Sequence, residues 1–377
     1  MRAAEQPARA KYRPVSSNHR RDASPETLRV GIVGAAGYTG AELIRLIHAH
    51  PRLDIAYVAA KERAGQKLEE AVPSTAGVRG IGDRVLETFD PARVGELAGR
   101  CDVMFLGLPH EASAAAAEAL LAAGLTVVDL SAAFRLKEAN HYEPWYGHRH
   151  ATALSRKAIY GLPELHRADL PGAKLIATPG CHVTSALLPL APLLHARLIQ
   201  KEGIVIDTKT GVSGAGRSPT ASKPFSETAE GVRPYKVAGS HRHTPEIEQE
   251  LSLVAGAAIR VILTPHLVPM TRGLLATCYA RSEAGTTVEA CRQAARSMHA
   301  EGLVTVLEGD HLPDTLYVRG SARAHVAYAK DERTGTILAM CALDNLSRGA
   351  SAEALQALNV SMGWPDGLGL PEVGLFP

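Results

Sequence analysis

Cys181 is the side chain in this sequence best placed to act as a nucleophile. It follows a Pro179-Gly180 pair and precedes an Ala/Leu-rich segment, and residues 175–177 read as a short buried strand. This order predicts a strand, a sharp turn and a helix, with the cysteine at the start of the helix. Backbone N–H groups and the helix dipole stabilise a thiolate there, so we expect a lowered thiol pKa. A buried structural cysteine is the alternative, and the neighbouring turn favours the nucleophile.

Two histidines, His241 and His243, are candidates for the base that would activate this thiol. In an extended segment they share one side and Arg242 takes the other, where it could hold a substrate carboxylate. Imidazole titrates near neutrality, which suits a general base. We favour His241 narrowly, because it lies further from the helix predicted to begin at Pro245. Two exposed loop histidines are the alternative, and without further ligands at suitable spacing the sequence predicts no metal site.

A glycine-rich turn precedes the first predicted helix. Residues 28–33 read as a strand and residues 41–50 have helical spacing, with Gly34, Gly37 and Gly40 between them. In this setting, glycines let the backbone approach a pyrophosphate at the helix N-terminus. A tight turn that binds no ligand is the alternative.

The residues that follow the second predicted strand bear on cofactor choice. Lys61 and Arg63 stand where an NAD enzyme usually has an acidic residue for the ribose 2′-hydroxyl. A basic pair suits a 2′-phosphate, so the sequence predicts NADP(H) rather than NAD. A solvated charge cluster that includes Glu62 is the alternative.

Several polar residues lie in loops that could face a ligand. Ser131 and Arg135 follow a predicted strand at its carboxyl end, where ligands of parallel sheets bind. Residues 211–218 form a Gly/Ser loop with Arg217, which is either an anion cradle or a flexible linker. Taken alone, Glu164 reads as a surface charge.

The elements that position these residues alternate regularly. Strands and helices alternate up to Cys181, which predicts an α/β fold with a Rossmann-like, doubly wound parallel sheet. A second, α+β domain with a mainly antiparallel sheet follows. It is indicated by a helix at 286–300, a closing helix at 350–358 and β-like segments at 258–264, 274–281, 304–308, 325–330 and 336–343.

Composition narrows the class of protein. With 377 residues the chain is long enough for two domains. Five scattered cysteines form no C-x-x-C pair, which argues against a disulfide framework or structural zinc site and favours a cytoplasmic location. A formal charge of +2 without basic blocks predicts no nucleic-acid partner, and no apolar run approaches the ~18 residues of a membrane span.

Residues 1–27, rich in Arg, Ala and Ser, predict a disordered tail, with a transit peptide as the alternative.

Taken together, the motifs resemble the N-acetyl-gamma-glutamyl-phosphate reductase family, within the aspartate-semialdehyde dehydrogenase superfamily. The resemblance covers the chain from about Leu28 to the C-terminus. It depends on the order of segments 31–40, 129–136, 160–165, 179–181, 211–217, 241–247, 265–273 and 344–349.

The resemblance implies an NADP-binding domain at 28–180, completed by 344–377, and a catalytic and subunit-contact domain at 181–343. It implies a homodimer or homotetramer in which Cys181 is the nucleophile and His241 or His243 the base. Implied cofactor contacts are Gly34, Ala36, Gly37, Tyr38, Thr39, Gly40, Lys61, Arg63 and Asn345. Implied substrate contacts are Ser131, Arg135, Glu164, Arg217 and Arg242.

The activity implied is NADPH-dependent reduction of N-acetyl-gamma-glutamyl phosphate through a cysteine thioester, in arginine biosynthesis. The chain departs from the family pattern at His182, where an aromatic residue is usual, and at Ala133, where an acidic residue is usual. Reduction of a carrier-linked aminoadipyl phosphate in lysine biosynthesis is therefore an alternative. A non-catalytic NADPH sensor is another, but a sensor needs no nucleophile and no base.

Overall fold

The chain folds around two β-sheets. The computed structural model describes residues 27–217 and 224–377. Residues 1–26, which make up nearly all of the predicted disordered tail, lie outside the described residues. The strands of the first sheet are β1 Leu28–Val33, β2 Leu53–Ala59, β3 Val103–Leu106, β4 Thr126–Asp129, β5 Ile159–Tyr160 and β6 Leu175–Ala177.

Every pairing in this first sheet is parallel, in the order β2-β1-β3-β4-β6-β5. The predicted doubly wound parallel sheet is therefore confirmed. Helix α1 buries Leu43, Ile44 and Ile47 because these residues recur on one helical face. The helices of this part are α1 Tyr38–Ala49, α2 Leu68–Ala71, α3 Val94–Ala98, α4 His110–Ala122, α5 Ala139–Tyr146, α6 Thr152–Lys157 and α7 Pro163–His166.

The second sheet is mixed. Its strands are β7 Ile204–Gly211, β8 Arg233–Pro234, β9 Val261–Val268, β10 Leu274–Arg281, β11 Val304–Val306, β12 Ala324–Asp331 and β13 Thr336–Leu343. In the order β11-β12-β13-β10-β7-β9-β8, four pairings are antiparallel, as predicted, and β11·β12 and β7·β9 are parallel. Parallel pairs need crossover connections, and helices lie in both connections.

The helices of the second part are α8 Cys181–His195, α9 Phe225–Thr228, α10 Thr244–Ala255, α11 Val288–Met298, α12 Thr315–Val318 and α13 Ala352–Ser361. Helix α8 is buried from His182 to Leu194, between α10, α11 and strands β10 and β13. Burial on all sides explains its Ala/Leu-rich composition without a polar face. Helix α13 instead joins the apolar core of the first sheet, where Leu355 packs with residues such as Val30. No helix among the described residues has the length and apolar character needed to cross a membrane.

One ion pair links α7, beside the first sheet, to α10. His166 Nε2 lies 2.7 Å from Glu250 Oε2, and Asp169 lies 3.6 Å from the other ring nitrogen. Burial lowers the pKa of His166, but the hydrogen bond and charge of Glu250, helped by Asp169, outweigh burial and raise it. Protonated His166 therefore stabilises the folded chain.

We expect His166→Asn to destabilise the protein more in mildly acidic solution than in alkaline solution. A raised folded-state pKa contributes stability that is fully present below the unfolded pKa of ~6.5 and is lost as pH rises through the folded value. Thermal unfolding midpoints of wild type and variant at pH 6 and pH 9 measure this. His195→Asn, at the exposed end of α8, is the matched control, and an equal loss at both pH values would contradict the assignment.

Candidate active site

Cys181 is the first residue of α8, directly after strand β6 and the Pro179-Gly180 turn. The predicted strand, turn and helix are confirmed. The backbone of Gly180 is held by a carboxylate, since its N–H donates to Glu246 Oε1 at 3.1 Å. Glu246 is fully buried and also accepts a hydrogen bond from the Tyr160 hydroxyl at 2.7 Å.

His243 lies against the same turn. A Cβ atom added to Gly180 would fall 2.3 Å from His243 Nε2, so only glycine leaves room for the imidazole. His243 precedes α10 and Glu246 lies in its first turn, so one helix start supplies both groups that contact the cysteine turn. This explains the spacing of the His-x-His-x-Pro-Glu motif.

Two cavities meet at Cys181, and Gly214 and His243 also line both of them. The first, of about 500 Å³, we call the basic cavity. It is also lined by His182, Thr210, Ala215, Arg233, Tyr235, Lys236, His241, Arg242 and Leu267. The second, of about 360 Å³, we call the glycine cavity. Its lining includes Gly34, Gly37, Tyr38, Thr39, Gly40, Ser131, Arg135, Arg217 and Asn345.

The glycine turn forms a cradle that side chains would fill. Gly34 has a φ of +89°, and a Cβ there would lie 2.5 Å from the carbonyl oxygen of Gly107. A Cβ on Gly40 would lie 2.3 Å from the Gly34 carbonyl oxygen, which allows α1 to begin close to β1. Bare backbone at a helix N-terminus fits a dinucleotide pyrophosphate.

The Gly/Ser loop after β7 is tied to the glycine turn. Arg217 Nη1 donates to the carbonyl oxygens of Ala36 and Ala71 at 2.8 and 2.6 Å. Asn345 Nδ2 donates to Ser213 Oγ at 3.0 Å. These bonds favour a structured loop over a flexible linker, although residue 218 lies outside the described part of the chain. Ala36 contributes its carbonyl oxygen to this contact rather than lining either cavity.

Of the other residues predicted to contact a ligand, some line a cavity and some do not. Ser131 and Arg135 face the glycine cavity at the carboxyl end of β4. Lys61 and Arg63 lie in a short turn after β2 and line neither cavity. That turn is close to the cradle, because the N–H of Gly34 donates to the last residue of β2 at 2.9 Å.

Glu164 lies in neither cavity. It forms a fully buried ion pair with Arg348 at 2.8 Å and accepts a hydrogen bond from Gln356 at 3.0 Å. The interpretation of Glu164 as a surface charge is therefore wrong. Ala133 is also buried away from both cavities, so of the two departures from the family pattern only His182 lies at the site.

The basic cavity is suited to an anion. Arg233, Lys236 and Arg242 line it, and no carboxylate is among the described residues that do so. Arg242 also lies over the ring of Tyr146, 5.4 Å from its centroid. Arg233, Tyr235 and Lys236 could not be predicted as site residues. They lie in or directly after β8, a strand of two residues that follows a helix of four, and both elements are too short for a periodic pattern.

The histidine rings cluster in this cavity. The His241 and His243 ring centroids are 4.8 Å apart. Arg242, predicted to take the opposite side, lines the same cavity as both rings. The segment is a turn rather than an extended strand, and His241 Nδ1 accepts the His243 N–H at 3.1 Å. Burial, followed by the charges of Lys236 and Arg242, lowers the pKa of His241 to about 4. Burial also places the pKa of His243 well below its ordinary value.

Both imidazoles are therefore neutral near pH 7 and able to accept a proton. Burial raises the pKa of the Cys181 thiol to about 11, against the opposing effects of Arg135 and of backbone N–H groups at the helix start. The predicted lowered pKa is wrong, because desolvation outweighs the helix terminus. The Cys181 thiol and both imidazoles are thus neutral near pH 7.

Comparison with known families is consistent with this geometry. Residues 29–173 match the family described as "Semialdehyde dehydrogenase, NAD binding domain", and residues 181–345 match "Semialdehyde dehydrogenase, dimerisation domain". The fold is similar to aspartate semialdehyde dehydrogenase II from Vibrio cholerae, with a TM-score of 0.66 and 17% identity over 89% of this chain and 98% of that one. The enzyme from Candida albicans, solved with NADP, gives a TM-score of 0.61 and 19% identity over 89% and 99%. The fold and the two family matches identify the chain as a member of the semialdehyde dehydrogenase class.

Curated relatives identify the family within this class. N-acetyl-gamma-glutamyl-phosphate reductases from Geotalea daltonii and Geobacter sulfurreducens are each 44% identical over 93% of this chain and 100% of their own length. The enzyme from Magnetococcus marinus is 43% identical over 93% and 99%. The chain belongs to the N-acetyl-gamma-glutamyl-phosphate reductase family.

We expect Gly349→Ala to displace Cys181. The new Cβ would lie 2.7 Å from Cys181 Cβ and 3.1 Å from Leu343 Cδ1, so the cysteine must shift. The rate of Cys181 alkylation should change at least roughly tenfold, since small displacements of a reacting group have large kinetic effects. Gly95→Ala, in α3 with open space around the added atom, is the control. An unchanged alkylation rate in Gly349→Ala would show that the segment around residue 349 accommodates the added atom without displacing Cys181.

Proposed function

We propose that this protein reduces N-acetyl-gamma-glutamyl phosphate with NADPH to N-acetylglutamate semialdehyde and phosphate. The observation that carries the proposal is the position of Cys181, where a glycine-lined cavity meets a basic one. A nucleophile between a dinucleotide site and an anion site suits the reduction of an acyl phosphate. The names of the relatives supply the substrate, and the pathway is arginine biosynthesis.

The cofactor would occupy the glycine cavity. Gly34, Gly37 and Gly40 would leave room for its pyrophosphate at the start of α1. Tyr38, Thr39, Ser131 and Asn345 would surround the remainder. Lys61 and Arg63, beyond the end of β2, would hold the 2′-phosphate that distinguishes NADPH from NADH.

The substrate would occupy the basic cavity. Its phosphate and carboxylate are anions, and Arg233, Lys236 and Arg242 supply the matching charge. Arg217 and Arg242 are both predicted substrate contacts, and Arg242 suits the carboxylate better, because Arg217 donates to the backbone carbonyls of Ala36 and Ala71. Arg135, paired with Glu246 at 3.4 Å, would contribute positive potential beside the sulfur.

Cys181 would attack the acyl carbonyl carbon, forming the C–S bond as the bond to phosphate breaks. His243 would take the thiol proton and pass it to the departing phosphate, returning to neutral. Bound NADPH would supply the hydride that reduces the thioester. Cys181 would then leave as the thiohemiacetal alkoxide collapses to the aldehyde, and His243 would relay a solvent proton back to the sulfur.

His243 suits this role better than His241. Its ring packs against Gly180, next to the nucleophile, and it borders both cavities. His241 borders only the basic cavity and accepts the backbone N–H of His243. We therefore assign the proton transfers to His243 and the support of its backbone to His241.

The domain division predicted from the sequence extends this proposal. Residues 28–180 with 344–377 would bind the cofactor, and residues 181–343 would carry the nucleophile and form the contacts of a homodimer or homotetramer. The match of residues 181–345 to a dimerisation domain supports the subunit contacts. A cytoplasmic location suits an enzyme that uses NADPH and a free thiol.

The activity is tested in reverse with N-acetylglutamate semialdehyde, phosphate and NADP⁺. We expect formation of NADPH, slower turnover with NAD⁺, and near-complete loss in Cys181→Ser with cofactor binding retained. The semialdehyde with one more methylene, in its aminoadipate form, is the comparison substrate. Preference for that homologue would point to the lysine pathway, and binding of NADPH without turnover would point to a sensor.

The assignment of the base is tested with His243→Asn and His241→Asn. Loss of a positioned base lowers turnover by about 10² to 10⁴, so we expect that effect in His243→Asn with little change in KM. His241→Asn should have the smaller effect. A larger loss of turnover in His241→Asn than in His243→Asn would show that His241 is the base and His243 is not.

A further inference from the structure

Three histidines of the basic cavity lie close enough to share one ion. One nitrogen each from His182, His241 and His243 lies within 4.8 Å of the other two. His182 follows the nucleophile in α8, whereas the other two precede α10, so the chain spacing does not reveal the cluster. We propose that these three imidazoles bind one borderline divalent cation of the Zn²⁺ class.

The side chain of His243 gives independent support. Its Nδ1 is buried and has no hydrogen-bond partner among the described residues. A buried nitrogen without a partner is costly and uncommon, and it indicates a missing ligand. A cation held between the three rings would satisfy it.

His182 is held in an orientation that suits a ligand. Its Nδ1 lies 2.8 Å from the Thr208 hydroxyl, and its Nε2 lies 2.9 Å from the Tyr235 hydroxyl. Metal-bound histidines commonly use the second nitrogen for such a bond, which fixes the ring and its tautomer. A cation would replace one of these two hydrogen bonds, and the other would keep the ring oriented.

The donor set selects the class of cation. Three imidazoles suit Zn²⁺ and its neighbours in the first transition row, whereas Mg²⁺ and Ca²⁺ require oxygen ligands. No carboxylate lines the cavity among the described residues. Three protein ligands and an open fourth position also match the tetrahedral geometry that zinc adopts when one site remains free.

Two features limit the affinity. Lys236 and Arg242 line the same cavity and repel a dication. His182 must also give up one of the two hydrogen bonds that its ring makes. We therefore expect a Kd in roughly the micromolar range, weaker than that of a structural zinc site.

The location predicts the consequence of binding. Cys181 and the three imidazoles line one cavity, so a bound cation occupies the path of the acyl phosphate. We expect inhibition that is competitive with the acyl phosphate and not with the cofactor. This consequence depends on the proposed function, whereas binding of the cation does not.

Binding is tested by titrating the full-length protein with Co²⁺, whose visible spectrum reports tetrahedral coordination. We expect one equivalent to bind and Zn²⁺ to displace it. His182→Phe should weaken Co²⁺ binding at least roughly tenfold, because it removes one of the three ligands, and even loss of a group that only supports a ligand costs about that much. His241→Asn is the second variant, in case the first unfolds. His195→Phe, exposed at the other end of α8, should bind as wild type does.

Cys181→Ala separates the three-imidazole site from a thiolate site. We expect this variant to keep the cobalt spectrum, because the sulfur is not part of the cluster. A sulfur-to-cobalt charge-transfer band that disappears in Cys181→Ala would overturn the assignment. So would wild-type affinity in both His182→Phe and His241→Asn, or the absence of saturable binding. Because the readout is spectroscopic, the titration tests cation binding even if the protein has no reductase activity.

Discussion

The site depends on one buried carboxylate. Glu246 accepts the N–H of Gly180 and the hydroxyl of Tyr160, and it pairs with Arg135. These bonds fix the turn before Cys181, a strand of the first sheet and the start of α10 relative to one another. Desolvation raises the pKa of Glu246, and the arginine and the two donors oppose that rise. A buried carboxylate that accepts several hydrogen bonds fixes the positions of its donors, because all of the bonds form in only one arrangement.

Burial also sets the chemistry of the nucleophile. A helix N-terminus favours a thiolate only while water or a counter-charge compensates its desolvation. Desolvation of the sulfur raises the pKa of the Cys181 thiol, so the neutral thiol prevails. In the proposed reaction the charge on sulfur would therefore develop together with bond formation, and a neutral imidazole would receive the proton at that moment.

Much of the fold could be predicted from the sequence, because periodicity and turn residues report local structure. The glycine turn, the helix that begins at Cys181 and the hairpin between β12 and β13 all follow such patterns. The partners of Glu164 and the grouping of His182 with His241 could not be predicted, because those contacts join distant parts of the chain. The thiol pKa was mispredicted for the same reason, since desolvation depends on tertiary packing.

The two cavities share a wall, formed by Cys181, Gly214 and His243. A cofactor and a substrate bound as proposed would both contact this wall. Their affinities would then be coupled, and the coupling would act equally in both directions. A dinucleotide that enters first would complete the floor on which the smaller anion rests, and an ordered sequence of binding would arise from shape alone.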